Sequence, residues 1–478
     1  MTVLHQSFVD GRFVDSRPGD EIPVFNPATD ELLSRIPDDG PDRVAEAVAA
    51  ARKAQKGWEA RPAIERAGYL RKLAQGIRAN ADGIARAIVA EQGKIQPLAQ
   101  VEVAFTADYL DYMAEWARRL EGEIIASDRP GETILLFRQA IGVVGGILPW
   151  NFPFFLIARK LAPALLTGNT IVIKPSEETP NNAAMFAEVL AQADLPAGVA
   201  NIVYGRGATT GAALCDDPDV GLISFTGSVA TGSRIMAAAA RNITKVNLEL
   251  GGKAPAIVCA DADLDLAARA ITDSRVINSG QVCNCAERVY VERAVADEFT
   301  ARLTAAMSAR RFGDPGAQPD VDYGPLINRA ALEKVAGMVD RARAAGAELV
   351  TGGAAADLGR GSFYVPTVLT GCAQDSEIMQ KEVFGPVIPV NVVDDLDQAI
   401  GRANDSEYGL TSSIYTRDIS NAMRACRELK FGETYINREN FEAMQGYHAG
   451  ARKSGIGGAD GKHGLYDYTQ SHVVYLQG

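Results

Sequence analysis

Histidine is scarce in this chain, 4 among 478 residues, which is few for a metalloenzyme. The cysteines at 215, 259, 283, 285, 372 and 426 have neither zinc-knuckle spacing nor the spacing of a disulfide framework. Free thiols suit a reducing cytoplasmic compartment, and no metal site is expected. Basic charge is in deficit: 48 Lys and Arg against 60 Asp and Glu give a net charge of −12. Such a surface repels phosphate backbones and anionic lipid heads, so neither nucleic acid nor membrane is an expected partner. The opening MTVLHQSFVDGRF lacks the basic start and apolar core of a secretion signal. The only long uncharged run, AIGVVGGILPWNFPFFLIA over 140–158, lies between Arg138 and Arg159-Lys160. Gly142, Gly145, Gly146, Pro149, Asn151 and Pro153 would leave backbone groups unpaired in lipid. The run reads instead as a buried strand, IGVVGGIL, a turn at Pro149–Pro153 and a helix.

What is present is ordinary globular composition, 47% hydrophobic and 23% charged. At about 150 residues per domain the length suggests about three domains, or two large ones. SFV and RFV flank Asp10-Gly11, a hairpin dipeptide, and a second turn is expected at Asn26-Pro27. Asp39-Gly40-Pro41 opens a helix with an acidic cap and a proline in its first turn. Helical stretches follow at 62–90 and 96–120. Beyond residue 140 short apolar strands alternate with helices: IGVVGGIL, NTIVIKP, NIVYG, GLISFTG, KVNLELGG and PAIVC, then ERVYVE, AELVTGG, VIPVNVV, SSIYT and ETYIN. That alternation implies βαβ crossovers and parallel sheets, an α/β fold.

Three post-strand loops are candidates for a dinucleotide site, because helix N-termini at the carboxyl edge of a parallel sheet offer free amides to phosphate. They are Lys174-Pro175-Ser176-Glu177, the glycines of Gly205-Arg206-Gly207 continuing to Gly211, and Thr226-Gly227-Ser228 with Gly232. Each alone fits a tight turn; three on one sheet edge point to a cofactor. An acidic Glu177 at a strand end suits a ribose diol and repels a 2′-phosphate, which favours NAD over NADP.

Two further residues carry chemistry. Cys283 stands in Asn278-Ser279-Gly280-Gln281-Val282-Cys283, a polar turn whose backbone amides are expected to stabilise a thiolate, whereas Cys215, Cys259, Cys372 and Cys426 read as inert core. Glu249, in LELGGK, ends an apolar strand before Gly251-Gly252. Burial there would raise its pKa towards general-base duty, the bland alternative being a salt bridge to Lys253. Cys283 and Cys285 are too close for an unstrained bond, so two free thiols are expected.

Leu248–Lys253 and the run from Asn278 to Cys283 ending at Arg288 resemble the two signature motifs of the NAD(P)-dependent aldehyde dehydrogenase superfamily. Pro149-Trp150-Asn151-Phe152-Pro153, Lys174-Pro175-Ser176-Glu177, Phe225-Thr226-Gly227-Ser228 and Glu382-Val383-Phe384-Gly385-Pro386 resemble four more of its motifs, in order and over almost the whole chain. Val276 departs, standing where the cysteine motif usually carries Phe. The resemblance implies a Rossmann-like NAD-binding domain over 1–120 and 142–251 and an α/β catalytic domain over 252–452. A small β oligomerisation arm, 121–141, would be joined by the C-terminal strand VVYLQ within 466–478, building a homotetramer as a dimer of dimers. It implies Cys283 as nucleophile, Glu249 as the base that activates water, and Asn151 with the Cys283 backbone N–H as the oxyanion site. Lys174 and Glu177 would hold the adenosine ribose of NAD, Gly227 and Ser228 would lie by the pyrophosphate, and Glu382 and Phe384 would hold the nicotinamide riboside. Pro149, Trp150, Ser176, Gly211 and Leu250 complete the implied cofactor set.

Departures from the family pattern bear on the aldehyde. Arg159, eight residues after Asn151, replaces a common apolar tunnel residue. His448 stands at a usual aromatic wall, and Glu442, six residues earlier, replaces another frequent aromatic. With Asn284, these polar groups suit a small substrate bearing a hydroxyl next to the carbonyl. The segment Asn437–Gly446 also resembles that of bacterial lactaldehyde dehydrogenases, which accept glycolaldehyde. The alternatives are an Arg159–Glu442 ion pair with no substrate role, a semialdehyde substrate held by Arg159, a cofactor-independent thiol esterase, and a non-catalytic descendant.

Overall fold

In a computed structural model, which describes residues 2–16 and 19–478, the apolar runs sort into two large sheets and two small ones. The first large sheet has a parallel core in the spatial order Lys245–Leu250, Val220–Gly227, Val143–Ile147, Thr170–Lys174, Ala200–Ile202. The chain starts in the middle, steps outward twice, then returns to the other side of Val143–Ile147. That reversal leaves a crevice at the carboxyl ends of Val143–Ile147 and Val220–Gly227, the place where doubly wound sheets bind ligands. The three loops read as a dinucleotide site do follow parallel strands of this one sheet. The hairpin Ser7–Val9/Arg12–Val14 extends the far edge, its turn made by Asp10 at φ 52° and Gly11 at φ 78° as the dipeptide requires. Gly455–Ile456 pairs antiparallel with Lys245–Leu250 at the other edge, Glu249 opposite Gly455.

Helix Phe155–Leu166 is buried along its whole length against this sheet. Leu156, Ile157, Leu161, Leu165 and Leu166 are each removed from water, worth roughly 1.5–3 kcal/mol per side chain. This explains the uncharged run without a bilayer: among the described residues no helix is long and apolar enough to cross a membrane. The run expected as one helix over 62–90 is two, Ala63–Ala79 and Ala81–Gln92, because Asn80 leaves helical geometry at φ −113°, ψ 12°. Asp39 does not cap Gly40–Glu59 with its side chain. Its carboxylate instead accepts from Tyr204 N at 2.9 Å and from the Ser7 hydroxyl, tying three segments together.

The second large sheet runs Glu348–Thr351, Thr367–Thr370, Val387–Val393, Ala286–Glu292, Ala254–Val258, Thr411–Tyr415, Glu433–Ile436, parallel except at its first strand. Thr367–Thr370 is the strand of this sheet that the sequence did not reveal: four residues, three of them buried, directly after Pro366, are too short to show a period. Glu132–Ala140 pairs with Glu123–Ala126 on one side and, residue for residue from Ala140–Thr469 to Glu132–Gln477, with Thr469–Gln477 on the other.

Candidate active site

The turn after Val143–Ile147 carries Pro149, Trp150 and Asn151 into the crevice between the two large sheets. A buried Lys94–Glu102 ion pair holds it from below. Lys94 Nζ donates to the backbone oxygen of Asn151 at 2.8 Å, and Glu102 Oε1 accepts from Phe154 N at 2.9 Å and Phe155 N at 3.1 Å. The Asn151 amide donates to Gln281 O at 3.0 Å, which binds this turn to the segment that presents Cys283.

That segment is unusual backbone. Asn278, Ser279 and Gly280 all have positive φ, 49°, 62° and 76°, a local cost that persists only where surroundings enforce it. Here they do: Asn278 Nδ2 donates to Asn151 O, Ser279 Oγ to Gly324 O at 2.8 Å, and a Cβ on Gly280 would lie 2.4 Å from Gly385 O. The Gln281 side chain donates to Asn278 O and accepts from Ile327 N at 2.8 Å. Gly252 makes the close approach possible from the other sheet, since a Cβ there would meet Cys283 O at 2.6 Å.

Burial pushes the Cys283 thiol above its ordinary pKa, aided by the Glu442 and Glu382 charges, while His448, on the same cavity, pulls the other way. Among these side chains, His448 is the one that favours the thiolate. Cys215, Cys259 and Cys372 are buried as read, but Cys426 is exposed on helix Ile419–Glu428, because it falls on that helix's solvent face. Cys285 is a free thiol whose Sγ contacts Val282 O at 2.9 Å.

Glu249 is buried, and Thr226 Oγ1 donates to its Oε2 at 2.8 Å. Both sequence expectations for it need correction. Burial does oppose its ionisation, but Arg159, Lys160 and His448 together hold its carboxyl below the usual range. Lys253 pairs with Glu287 at 2.6 Å, not with Glu249. Lys160 donates to Ser224 Oγ at 3.1 Å and Thr226 Oγ1 at 2.9 Å, and burial pushes its own pKa down to about 8.

Two cavities meet at Asn151, Thr226, Glu249 and Cys283. The first is lined by Pro149, Trp150, Gly227, Ser228, Leu250, Glu382 and Phe384. Trp150 and Phe384 meet edge to face, 5.5 Å between centroids. Ser228 caps helix Val229–Ala239, accepting from Thr231 N at 3.2 Å, so that helix's N-terminus faces the cavity. Glu382 Oε1 accepts from Gly252 N at 2.9 Å, and a Cβ on Gly251 would lie 2.4 Å from its other oxygen. Further along the sheet edge, Lys174 Nζ reaches Glu177 Oε2 at 2.8 Å and Gly207 N donates to Glu177 Oε1 at 3.1 Å. Gly211 packs beside the Lys174 stem, and Ser176 Oγ accepts from Glu178 N at 3.3 Å. A helix N-terminus at the cavity and an acidic residue further along the same sheet edge are features that a dinucleotide site uses.

The second cavity brings together Arg159, Asn284, Glu442 and His448 beside Cys283. Arg159 Nε donates to Asp460 Oδ1 at 3.0 Å, and its Nη2 to Asp460 Oδ2 and to Glu442 Oε1 at 3.2 Å. The Arg159–Glu442 pair weighed from the sequence is thus present, with a second carboxylate that no motif announced. Glu442 Oε2 accepts from Asn284 Nδ2, and His448 Nδ1 meets Glu433 Oε1 at 2.6 Å. Sequence reasoning missed Lys94, Glu102, Asp460 and Glu433, and read Thr226 only as part of the cofactor loop. Only Lys160 left a signal, as the second cation beside Arg159 in an otherwise apolar helix.

The aldehyde dehydrogenase family model matches residues 13–474. Lactaldehyde dehydrogenase of Escherichia coli (strain K12) is 63% identical over 475 residues, 99% of each chain. Its crystal structure superposes with a TM-score of 0.99 over 100% of both chains at 62% identity. A D-glyceraldehyde dehydrogenase (NADP(+)) of Picrophilus torridus is 37% identical over 98% of this chain and 95% of its own. Betaine aldehyde dehydrogenase of Staphylococcus aureus in complex with NAD+ has a TM-score of 0.96 at 33% identity, over 99% of this chain and 94% of its own. With the cysteine turn, the glutamate strand and the asparagine turn converging between two such cavities, the chain belongs to the aldehyde dehydrogenase family.

Proposed function

We propose that this enzyme oxidises a small 2-hydroxyaldehyde with NAD, lactaldehyde to lactate and glycolaldehyde to glycolate. The observation that carries the reading is the polar cluster beside Cys283: Glu442, Asn284 and His448 line the substrate cavity, with oxygen and nitrogen atoms able to bond a hydroxyl next to the carbonyl. The likeness to lactaldehyde dehydrogenase of Escherichia coli supports it. A semialdehyde is disfavoured, because Asp460 and Glu442 already counter the Arg159 charge. Glu177 supports NAD, since a carboxylate beside Lys174 at the strand end suits a ribose diol and repels a 2′-phosphate.

The chemistry follows from the placement of side chains. Cys283 Sγ attacks the aldehyde carbon, and the Asn151 amide with the Cys283 N–H takes the developing oxyanion. Trp150, Gly227, Ser228, Glu382 and Phe384 would hold the nicotinamide riboside of NAD, which would supply the hydride acceptor for that carbon. The resulting thioester on Cys283 is hydrolysed by a water whose proton passes to Glu249, whose Oε1 has no protein partner among the described residues. Residues 1–120 with 142–251 form the NAD-binding domain and 252–452 the catalytic domain. The 121–141 arm and the C-terminal strand assemble a dimer of dimers in the cytosol, an arrangement that would cover Ile124, Tyr475 and Leu476, all exposed in the single chain.

The test is the ratio of kcat/KM for lactaldehyde over propanal, which differ by one hydroxyl. A site built to bond that group discriminates by up to ~10⁴-fold. A ratio near one overturns the substrate assignment, and succinic semialdehyde turnover exceeding that of lactaldehyde would put the semialdehyde reading in its place.

A further inference from the structure

Cys283 and Phe384 each lie just ahead of a strand of the second large sheet, Ala286–Glu292 and Val387–Val393. These strands pair in parallel from Val289–Val390 to Glu292–Val393, so the ladder starts after both lead-in segments have passed. Ahead of the ladder a buried carboxylate takes over. Glu287 Oε1 accepts from Phe384 N and its Oε2 from Val383 N, both at 3.1 Å. Phe384 has φ 60°, left-handed backbone that a bulky residue keeps only where its surroundings enforce it. On its other side Glu287 meets two buried cations. Lys253 Nζ donates to Oε2 at 2.6 Å, and Arg275 Nη1 is ion-paired with Oε1 at 2.8 Å. Arg275 carries the contact on to the cysteine turn, donating to Ala286 O at 2.9 Å and to Gly280 O. Lys253 follows Gly252, whose N–H is bonded to Glu382.

We infer that Glu287 is the positioning residue that sets the Glu382–Gly385 strap in register with the Cys283 turn. On the proposed reading, which this role presupposes, Phe384 lies by the nicotinamide and Cys283 carries the substrate carbon. Hydride passes between those two points, and a displacement of about 1 Å costs ~10²-fold in rate. One carboxylate fixes both ends, holding the strap by two amides and the turn through Arg275.

The chemistry of the group suits the task. Burial opposes its ionisation, but Lys253 and Arg275, with the Val383 amide, hold the Glu287 carboxyl down to about 2. It is therefore an acceptor on both oxygens at any working pH, which lets it serve both strap amides at once. A glutamine could serve only one and would set an N–H group against the other, leaving a buried donor without a partner. Balancing two cations is a lesser requirement, which apolar replacement of a charge pair can also meet. The bonds to Val383 and Phe384 are what such a replacement cannot supply.

That difference is the experiment, made on the full-length protein. Folded Glu287→Gln should bind NAD at least ~10-fold more weakly by calorimetry and lose ~10²-fold in kcat, with the KM for lactaldehyde little changed. Glu287→Gln combined with Lys253→Met removes one charge of each sign, so it should regain much of the unfolding midpoint but neither NAD affinity nor kcat. Parental NAD affinity and kcat in the double variant overturn the inference, because the carboxylate then only neutralises cations. If Glu287→Gln does not fold, the double variant decides, and the parent protein supplies a further measurement. Without cofactor, its Val383 and Phe384 amides should exchange slowly with deuterium, and exchange at the rate of an exposed loop overturns the inference as well. Failure of the reading beneath it shows differently. Parental NAD affinity in Phe384→Ala would take the strap away from the cofactor, and retained aldehyde oxidation in Cys283→Ala would displace the nucleophile.

Discussion

Lys94 Nζ lies 2.8 Å from the backbone oxygen of Asn151, so a fully buried cation paired with the carboxylate of Glu102 supports the turn that presents the Asn151 amide. Lys94→Met would leave Glu102 charged and unpaired in a dry interior, at a cost of about 3–5 kcal/mol. Chemical denaturation should show that loss. The surviving folded enzyme should lose kcat more than it gains KM, because the Asn151 turn and not the substrate cluster is disturbed. Parental kcat in a folded Lys94→Met protein would show that the ion pair supports the fold alone.

Asn151→Ala tests the amide itself. Removing one oxyanion donor typically costs ~10²–10³ in kcat. The Asn151 backbone oxygen keeps its bonds from Lys94 and Asn278, so the turn should survive. Stopped-flow measurement of NADH formation should show the loss in the hydride-transfer phase, with the unfolding midpoint little changed.

Where the sequence was legible, a period or a local motif recorded the structure. Val143–Ile147, Thr170–Lys174 and Val220–Gly227 are apolar runs ended by turn residues, and Asp10-Gly11 states its own hairpin. The cysteine, glutamate and asparagine segments could be read because each has a local pattern, glycines or prolines set beside one reactive group. Asp460 and Glu433 could not, since their significance lies in partners 301 and 15 residues away across the fold. Charge balance was equally hidden: burial alone argues for a raised Glu249, and only the convergence of Arg159, Lys160 and His448 reverses the sign.

Cofactor choice is tested at Glu177. Its carboxylate takes both the Lys174 ammonium and the Gly207 amide, and those charges hold its pKa below the usual range despite burial, so it is anionic at any working pH. Glu177→Ala removes the charge that repels a 2′-phosphate and leaves Lys174 available to it. The expected outcome is at least a ~10-fold rise in kcat/KM with NADP, alongside a fall with NAD. Steady-state kinetics with both cofactors measures it, and an unchanged NADP/NAD ratio would move the discrimination elsewhere.

Arg159→Leu is expected to destabilise by about 3–5 kcal/mol, because the buried carboxyls of Asp460 and Glu442 would lose their shared partner. Arg159→Leu combined with Asp460→Leu should recover most of that stability, an interaction readable as a double-mutant cycle. If Glu442, Asn284 and His448 read the substrate hydroxyl, the double variant keeps its preference for lactaldehyde over propanal. Loss of the preference at constant stability would make Arg159 a direct substrate contact.

Glu382, proposed to hold the nicotinamide riboside, also bears on stability. Burial, with the Glu287 charge adding to it, pushes its carboxyl from an ordinary 4.5 up to about 7, and the Gly252 amide only partly offsets this. The native protein therefore binds more protons than the unfolded chain between pH 4.5 and 7. Stability must fall as pH rises through that window, with the full cost present above it. If Glu382 holds the cofactor as proposed, Glu382→Gln separates the two effects. Glutamine keeps an oxygen for Gly252 N but cannot ionise. Urea unfolding of the apo-protein should show the variant more stable than the parent at about pH 8 and no more stable at about pH 5. NAD affinity, measured by calorimetry at the higher pH, should fall. A variant no more stable at the higher pH would mean that the charged carboxylate is compensated in the fold, and its role would then rest on ribose binding alone.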